Sequence, residues 1–435
     1  MSEQVEQELP RFRSVFLSEN APPVIEDPYA VPIEDINPVD PRLFQREIFW
    51  EHFRRLRRED PVHLNELYNT GRYWSITKFD DIMFVDKNHE LFSSAHGIAL
   101  GPRIGAAPHP EDLNTESFIA MDPPKHDLQR ATVSGVVAPP NLAKMEATIR
   151  ERTQRVLDEL PVGETFNWVE RVSIELTTMM LATLFDFPFE DRRKLTRWSD
   201  VATAAPGTGI VDSHEQRRAE LMECLEYFTR LWNERVHLKE PGSDLVSMLA
   251  HGEDTKHMQP YEFLGNLILL IVGGNDTTRN SMSAGVLALN RNPAEYDKLR
   301  ANASLIPNMV SEIIRYHTPL PYMRRTANVD VELRDKTIKA GDQVLMWYVS
   351  GNRDEDVIDR PDEFLIDRAK ARHHLSFGFG IHRCMGNRLA ELQLRVLWEE
   401  IMPRFRHVEV VGEPKRLLSS FIRGITELPV IVHPH

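Results

Sequence analysis

The chain has 435 residues, 52 of them basic and 66 acidic, for a net charge of −14 at pH 7. This balance supplies no basic field for nucleic acid, which is excluded as a partner. Hydrophobic residues at 41% and charged residues at 27% give ample material for a globular core, and two cysteines argue against a disulfide framework.

In chain order, residues 1–45 are rich in proline (Pro22, Pro23, Pro28, Pro32, Pro38, Pro41) and acids. They read as an extended N-terminal arm lying on the body, ahead of a single domain over 46–435, although length alone would allow two or three domains. Glu3, Glu6 and Glu8 stand where a signal peptide would be apolar. The most apolar segment, 264–272, is far short of the roughly 20 residues that span a bilayer. A soluble, cytoplasmic chain with no transmembrane segment is therefore expected.

Phe49, Phe53 and Leu56 recur at helical spacing, so one helix is predicted over 44–58, stopped by Asp60-Pro61. Short strands follow at 62–64 and 72–76, then a helix over 78–87. Residues 93–120 have no period and several glycines and prolines. A loop of that length is either functional or disordered. Ile98 and Leu100, set beside glycines, suit a flexible pocket lid. Pro123-Pro124 opens the next helix. His126 and Arg130 stand at i and i+4 on it and share a face, which in isolation describes two surface residues. From 141 to 250 the pattern is mostly helical, and Cys224 falls in the apolar stripe Leu221, Leu225, Phe228, Trp232 as a packing residue.

Residues 261–290 read as a long helix, apolar nearly all round at Leu264–Val272 and therefore central to the fold. Gly273-Gly274-Asn275-Asp276-Thr277-Thr278 interrupts it. Two glycines cost a helix interior roughly 1.5–2 kcal/mol relative to alanine, and a buried Asp costs more unless paired or solvated. Such local destabilisation accompanies function in some proteins and is a simple kink in others. Gly273 and Thr277 share a face, so a small ligand could sit there, or the hydroxyl could bond back to the Gly273 carbonyl. Further on, Glu312 and Arg315 stand at i, i+3 among apolar neighbours. The turn His317-Thr-Pro319-Leu320-Pro321 leads into a strand containing Met323 and Arg325, and more strands are expected at 331–333 and 344–349.

The densest signal is Phe377-Gly378-Phe-Gly380-Ile-His382-Arg-Cys384-Met-Gly386, followed by a helical pattern from Leu389 to Trp398. A glycine-kinked loop thus delivers one sulfur to a helix N-terminus, whose free N–H groups favour thiolate over thiol. Cys384 could be a small buried hydrophobe or a ligand. One cysteine is too few for a zinc or iron–sulfur site, but it suits an iron whose other positions a porphyrin fills.

This ten-residue pattern resembles the haem-binding loop of the cytochromes P-450, the haem-thiolate monooxygenases. The resemblance implies a mainly α fold with small β-sheets (α+β), with haem between the long central helix and the cysteine loop. It implies haem b held by the Cys384 thiolate, with dioxygen as co-substrate. His126, Arg130, Arg325 and His382 would surround the haem propionates, and Gly273 and Phe377 would border the cofactor. Gly273-Gly-x-Asp-Thr-Thr278 is similar to the family's oxygen-binding motif, which makes Thr277 the donor to dioxygen and Asp276 the proton relay. Because neighbours on a helix do not face each other, Asp276 would act through water or by rotating. Glu312, Arg315 and Arg368 match a structural network behind the haem. Ile98, Leu100, Leu320, Met323, Phe421 and Ile422 would line the substrate pocket.

The haem fold fills the chain and leaves no room for a flavin or nicotinamide domain, so a separate ferredoxin and ferredoxin reductase would supply electrons. Arg383 and Arg388 are either docking charges for an acidic partner or solvated surface residues. The stretches 269–280 and 374–390 resemble, more narrowly, the bacterial alkane and fatty-acid terminal (omega) hydroxylases, which implies a hydrophobic alkyl-chain substrate. Another hydrophobic substrate such as a terpene, a peroxide-driven hydroxylase, and a haem-thiolate sensor without turnover are the alternatives. Asp276 and Thr277 speak against the last two.

Overall fold

The computed structural model describes residues 15–17, 21–67, 70–102, 105–106, 111, 113–240 and 242–435. Glu3, Glu6, Glu8 and part of the expected lid lie outside them. The architecture is mainly α-helical with small β-sheets, as the resemblance implied.

In the first part of the chain come α1 (Pro41–Gln45), α2 (Trp50–Glu59), β1 (Val62–Leu67), β2 (Gly71–Ile76), α3 (Phe79–Lys87) and β3 (Phe92–Ser93). The single helix expected over 44–58 is two helices. Between them Glu47 adopts a left-handed φ of 58°, and its carboxylate is held by Arg291, Arg416 and Arg423. All three are distant in sequence, Arg416 and Arg423 from the far end of the chain, so local periodicity carries no sign of the break. Before α1, the buried side chains Phe16, Ile36 and Val39 pack with Leu43, Phe44, Tyr73, Tyr322 and Trp347.

The helical half contains α4 (Lys125–Ser134), α5 (Pro139–Asp158), the two-residue β4 (Phe166–Asn167), α6 (Glu175–Phe185), α7 (Arg193–Thr203), α8 (His214–Val236) and α9 (Leu245–His251). Cys224 is fully buried on α8, as its stripe predicted. Then α10 (Pro260–Arg291) runs 32 residues with Pro260 in its first turn, where a missing N–H costs nothing. It joins two separate cores. Phe263, Leu264, Leu267 and Ile271 pack with α6 to α9. Met282, Val286, Leu287 and Leu289 pack with the next helices, α11 (Pro293–Ala301) and α12 (Ile306–His317), and with Trp398. Each such side chain contributes about 1.5–3 kcal/mol of burial. The polar stretch 273–281 lies at the seam, so the packing on either side keeps the helix continuous through its own weak centre.

The rest comprises β5 (Met323–Ala327), β6 (Val331–Leu333), β7 (Lys336–Ile338), β8 (Gln343–Met346), α13 (Tyr348–Gly351), α14 (Asn387–Arg404), β9 (Phe405–Val410), β10 (Lys415–Arg416), β11 (Ile425–Glu427) and β12 (Pro429–Pro434). The strand expected over 344–349 ends at Met346, and Tyr348 begins a short helix instead. The main sheet has the order β1-β2-β8-β5-β3, with β2 and β8 parallel and the other pairs antiparallel. Among the described residues, no helix is long and apolar enough to cross a membrane.

Candidate active site at the seam of the long helix

The cysteine loop is shaped by two glycines in left-handed conformation, Gly378 at φ 65° and Gly380 at φ 68°. A Cβ on Gly380 would lie 2.4 Å from the Asp86 carbonyl, so only glycine fits there. The Cys384 N–H donates to the Phe377 carbonyl at 2.8 Å and closes the loop. Phe377 itself is half-buried against the core beside α14. Gly386 caps α14, and the N–H groups of Gly386 and Asn387 point at the sulfur. Cys384 is accessible although protein surrounds it on every side, so it opens onto an internal space. Burial pushes the thiol pKa up, against the pull of the Gly386 N–H, Arg130, Arg383 and the Asn387 N–H.

On α10, which packs against α14, a Cβ on Gly273 would meet nothing within 4 Å. The helix face at Gly273 is therefore open in the middle of an otherwise buried element. Thr277 lies one turn on, half-buried, with its hydroxyl donating to the Gly273 carbonyl at 3.3 Å. Asp276 is fully buried on another face and makes no bond to Thr277. Its Oδ1 pairs with Arg279 at 2.8 Å and accepts from Asn275 Nδ2 at 3.3 Å, while its Oδ2 makes no hydrogen bond, although the Ser199 and Thr203 hydroxyls of α7 stand close to the carboxyl. Burial raises the carboxyl to a pKa of about 6, with Arg279 opposing and Asp200 adding to the rise. Arg279 also reaches Asp200 on α7 at 2.5 Å. Arg279 is thus the partner that a buried Asp276 requires, and its i+3 spacing was the available signal.

The residues matched to the propionates converge. His126 on α4 and His382 in the cysteine loop have ring centroids 4.2 Å apart, and Arg130 donates to the Arg383 carbonyl. Nε2 of His126 and both ring nitrogens of His382 are buried without partners. Burial, followed by Arg325, His126 and Arg130, drives the His382 pKa down to about 2. These three ring nitrogens, beside the positive charges of Arg130 and Arg325, lack a partner, and the two carboxylates of a haem would supply one. With an accessible sulfur and an open glycine face nearby, the residues fit the cofactor.

Asp86, at the end of α3, was not singled out from the sequence. Its carboxylate accepts from Arg325 Nη2 at 2.8 Å, from the Tyr348 hydroxyl at 2.9 Å and from the Phe379 N–H at 2.8 Å. One buried side chain therefore holds both a propionate-matched arginine and the cysteine loop. Glu312, Arg315 and Arg368 also come together: Arg315 reaches Glu312 through two bonds of 2.7 and 2.8 Å, and Arg368 Nε reaches Glu312 at 2.9 Å. Arg315 also donates to the Asn352 carbonyl at 2.8 Å, and the Asn352 side chain holds Leu375 and Ser376 just ahead of the loop.

The expected pocket residues are less uniform. Leu100 and Phe421 join one apolar cluster with Tyr322 and Trp347, whereas Met323 packs in a second with Trp74 and Val344. Ile98 and Leu320 are half-buried and Ile422 is buried. The Ile98 carbonyl accepts from the Arg324 N–H at 2.7 Å, which ties the lid to β5.

Residues 206–429 match the family model described as Cytochrome P450. Linalool 8-monooxygenase of Pseudomonas putida is 33% identical, over 91% of this chain and 98% of that protein. Methyl-branched lipid omega-hydroxylase of Mycobacterium tuberculosis (strain ATCC 25618 / H37Rv) is 32% identical, over 93% and 96%. The solved structure of Cytochrome P450-153 from Novosphingobium aromaticivorans superposes with a TM-score of 0.85 at 46% identity, over 91% of this chain and 99% of that one. Agreement along nearly the whole length places this chain in the cytochrome P450 family, as one of its monooxygenases.

Proposed function

We propose that the protein hydroxylates the terminal carbon of medium-chain alkanes or fatty acids, with haem b held by Cys384. The observation that carries the oxygenase chemistry is the pairing of a buried Asp276, whose Oδ2 is free, with a Thr277 hydroxyl on the open face of α10. A haem-thiolate sensor without turnover would need neither group. The alkyl-chain assignment draws support from the lipid omega-hydroxylase relative and from the apolar side chains at Leu100, Phe421 and Met323. The linalool relative favours a terpene as the second reading.

Bound haem supplies the activation of dioxygen and the insertion of one oxygen atom into a C–H bond, and a thiolate ligand favours O–O cleavage. The chain's own residues do the rest. The Gly386 and Asn387 N–H groups stabilise the charge on Sγ. His126, His382 and Arg130 would hold the propionates, and Arg325 would do so from its seat on Asp86. Thr277 presents its hydroxyl at the open face, where the weak 3.3 Å bond to the Gly273 carbonyl leaves it free to turn. Asp276 exchanges its proton at a pH of about 6, closer to neutral than an ordinary carboxyl, and passes it from Oδ2 while Arg279 fixes Oδ1. Residues 46–435 form the catalytic domain, and the described part of the preceding arm packs on it through Phe16, Ile36 and Val39. Electrons come from a ferredoxin and its reductase, docking at the exposed Arg383 and Arg388 beside the cysteine.

Two spectra test this reading. The reduced protein with carbon monoxide should absorb at about 450 nm, as expected of a thiolate-ligated haem. Alkanes and fatty acids should then each shift the spectrum of the haem-loaded protein in a titration. A response to terpenes only would transfer the assignment to the second reading.

A further inference from the structure

Among the described residues six arginines are buried: Arg57, Arg315, Arg324, Arg325, Arg353 and Arg423. Five of them hold a carboxylate, from Glu355, Glu312, Asp86, Asp362 and Glu47 respectively. Arg324 is the exception. Its side chain is 3% exposed and has no acidic partner among the described residues. Nη1 donates to Gln343 Oε1 at 2.7 Å and Nε to the Gly97 carbonyl at 3.2 Å, both neutral acceptors, and Nη2 makes no hydrogen bond with any described residue.

We propose that Arg324 and Tyr322 form a carboxylate-binding site beneath the 97–101 lid, so that the preferred substrate is a long-chain carboxylic acid held by its head. The proposal rests on the alkyl-chain reading above and narrows it.

A buried cation left without an anion is strongly unfavourable, and a fold tolerates it where a ligand completes the pair. The lid is built round this group. A Cβ on Gly97 would lie 3.2 Å from Nη2, and one on Gly101 would lie 3.3 Å from Nη1, so glycines at both ends let the backbone close over the guanidinium. Gln343 fixes the far side, accepting from the Gly101 N–H at 3.2 Å and donating to the Gly101 carbonyl at 2.9 Å.

A second donor stands beside it. The Tyr322 hydroxyl accepts from the Leu100 N–H at 3.2 Å, and its own proton has no acceptor among the described residues. One carboxylate accepts from a guanidinium and a phenol together, each bond charge-assisted. Burial already holds the Arg324 pKa down to about 10, the direction an absent counter-ion gives.

Arg324 as a mere latch for the lid accounts for its bonds to Gly97 and Gln343. It leaves Nη2, the Tyr322 proton and the missing counter-charge unexplained. A held head also supplies a reason for terminal attack. Leu100 and the Phe421 ring, 5.5 Å from that of Tyr322, continue the apolar wall away from the guanidinium. The next residue, Arg325, leaves β5 on the opposite face toward Asp86 and the propionate set. With the head fixed, chain length decides which carbon reaches the haem.

The test is a spectral titration of the haem-loaded protein with dodecanoate, methyl dodecanoate and dodecan-1-ol. Wild type should bind dodecanoate at least about tenfold more tightly than its methyl ester. Arg324→Gln should weaken dodecanoate about tenfold and leave dodecan-1-ol within about twofold, and Tyr322→Phe should act in the same direction by less. Equal weakening of acid and alcohol in these variants makes Arg324 a latch and overturns the proposal. If Arg324→Gln takes up no haem, wild-type affinity for the ester equal to that for the acid overturns it just as well. Failure of wild type to bind any of the three ligands instead removes the alkyl-chain reading on which the proposal stands.

Discussion

The Asp86 carboxylate lies 2.8 Å from Arg325 and is buried with it, though 239 positions separate the two in sequence. The same carboxylate takes the Phe379 N–H of the cysteine loop, so the groups expected to grip opposite parts of one cofactor share a single anchor. Asp86→Ala leaves Arg325 buried without its counter-charge and frees the loop. The expected loss is roughly 3–5 kcal/mol of folding stability, with a lower haem content after purification. Urea unfolding followed by circular dichroism and a haem assay check both, and an unchanged haem content would detach Asp86 from the cofactor.

Thr277→Ala removes the hydroxyl at the open face of α10 and little else, since its single side-chain bond is the 3.3 Å contact to Gly273. Stability should change by less than about 1 kcal/mol. Electron use should instead become uncoupled from product, with NADH consumed in excess and hydrogen peroxide released. Measuring peroxide per NADH oxidised decides it: an unaltered ratio contradicts the role given to Thr277.

Asp276 is raised from its ordinary value to about 6 by burial, against the pull of Arg279. The folded protein therefore holds this proton more tightly than the unfolded chain does. The carboxyl costs nothing below its unfolded pKa near 4, and the cost grows as pH rises to about 6. At pH 7 it is on the order of 3 kcal/mol. Asp276→Asn should accordingly be neutral or stabilising at pH 7 while slowing turnover. In wild type the coupled rate should fall as pH rises through about 6, and the variant should lose that inflection.

Glu47 shows the reverse sign. Burial raises its pKa, but Arg423, Arg416 and Arg291 outweigh burial and bring it down to about 2. Its contribution is present above the unfolded pKa of about 4.5 and is lost as pH falls toward 2. For a side chain 19% exposed, roughly 3 kcal/mol is the upper figure after solvent screening. Glu47→Gln should lower the unfolding free energy at pH 7 by about 2–3 kcal/mol and flatten its decline between pH 5 and 3, as read from denaturant midpoints across that range.

The parts of the site legible in the sequence are those built from neighbours in the chain. Gly378, Gly380, Cys384 and Gly386 lie within nine residues, and their spacing dictates the loop and the helix that follows. The glycine pair at 273–274 in an apolar helix marked the seam of α10 in the same way. What escaped depends on partners far away in sequence. Glu47 splits the expected 44–58 helix because Arg416 and Arg423 come back to it, and Asp86 matters through Arg325 and Phe379. Arg324, adjacent to Arg325, gave no signal of its own. An arginine in a strand reads as an ordinary solvated residue until its missing counter-charge is seen in three dimensions.

The central claim is that the open face of α10 receives the end of an alkyl chain, and product regiochemistry addresses it directly. The haem-loaded protein, supplied with a ferredoxin and its reductase, should be turned over with octane and with dodecanoate, and the alcohols resolved by gas chromatography with mass detection. The account predicts octan-1-ol and 12-hydroxydodecanoate as the main products. Alcohols at internal carbons alone, from both substrates, would contradict it.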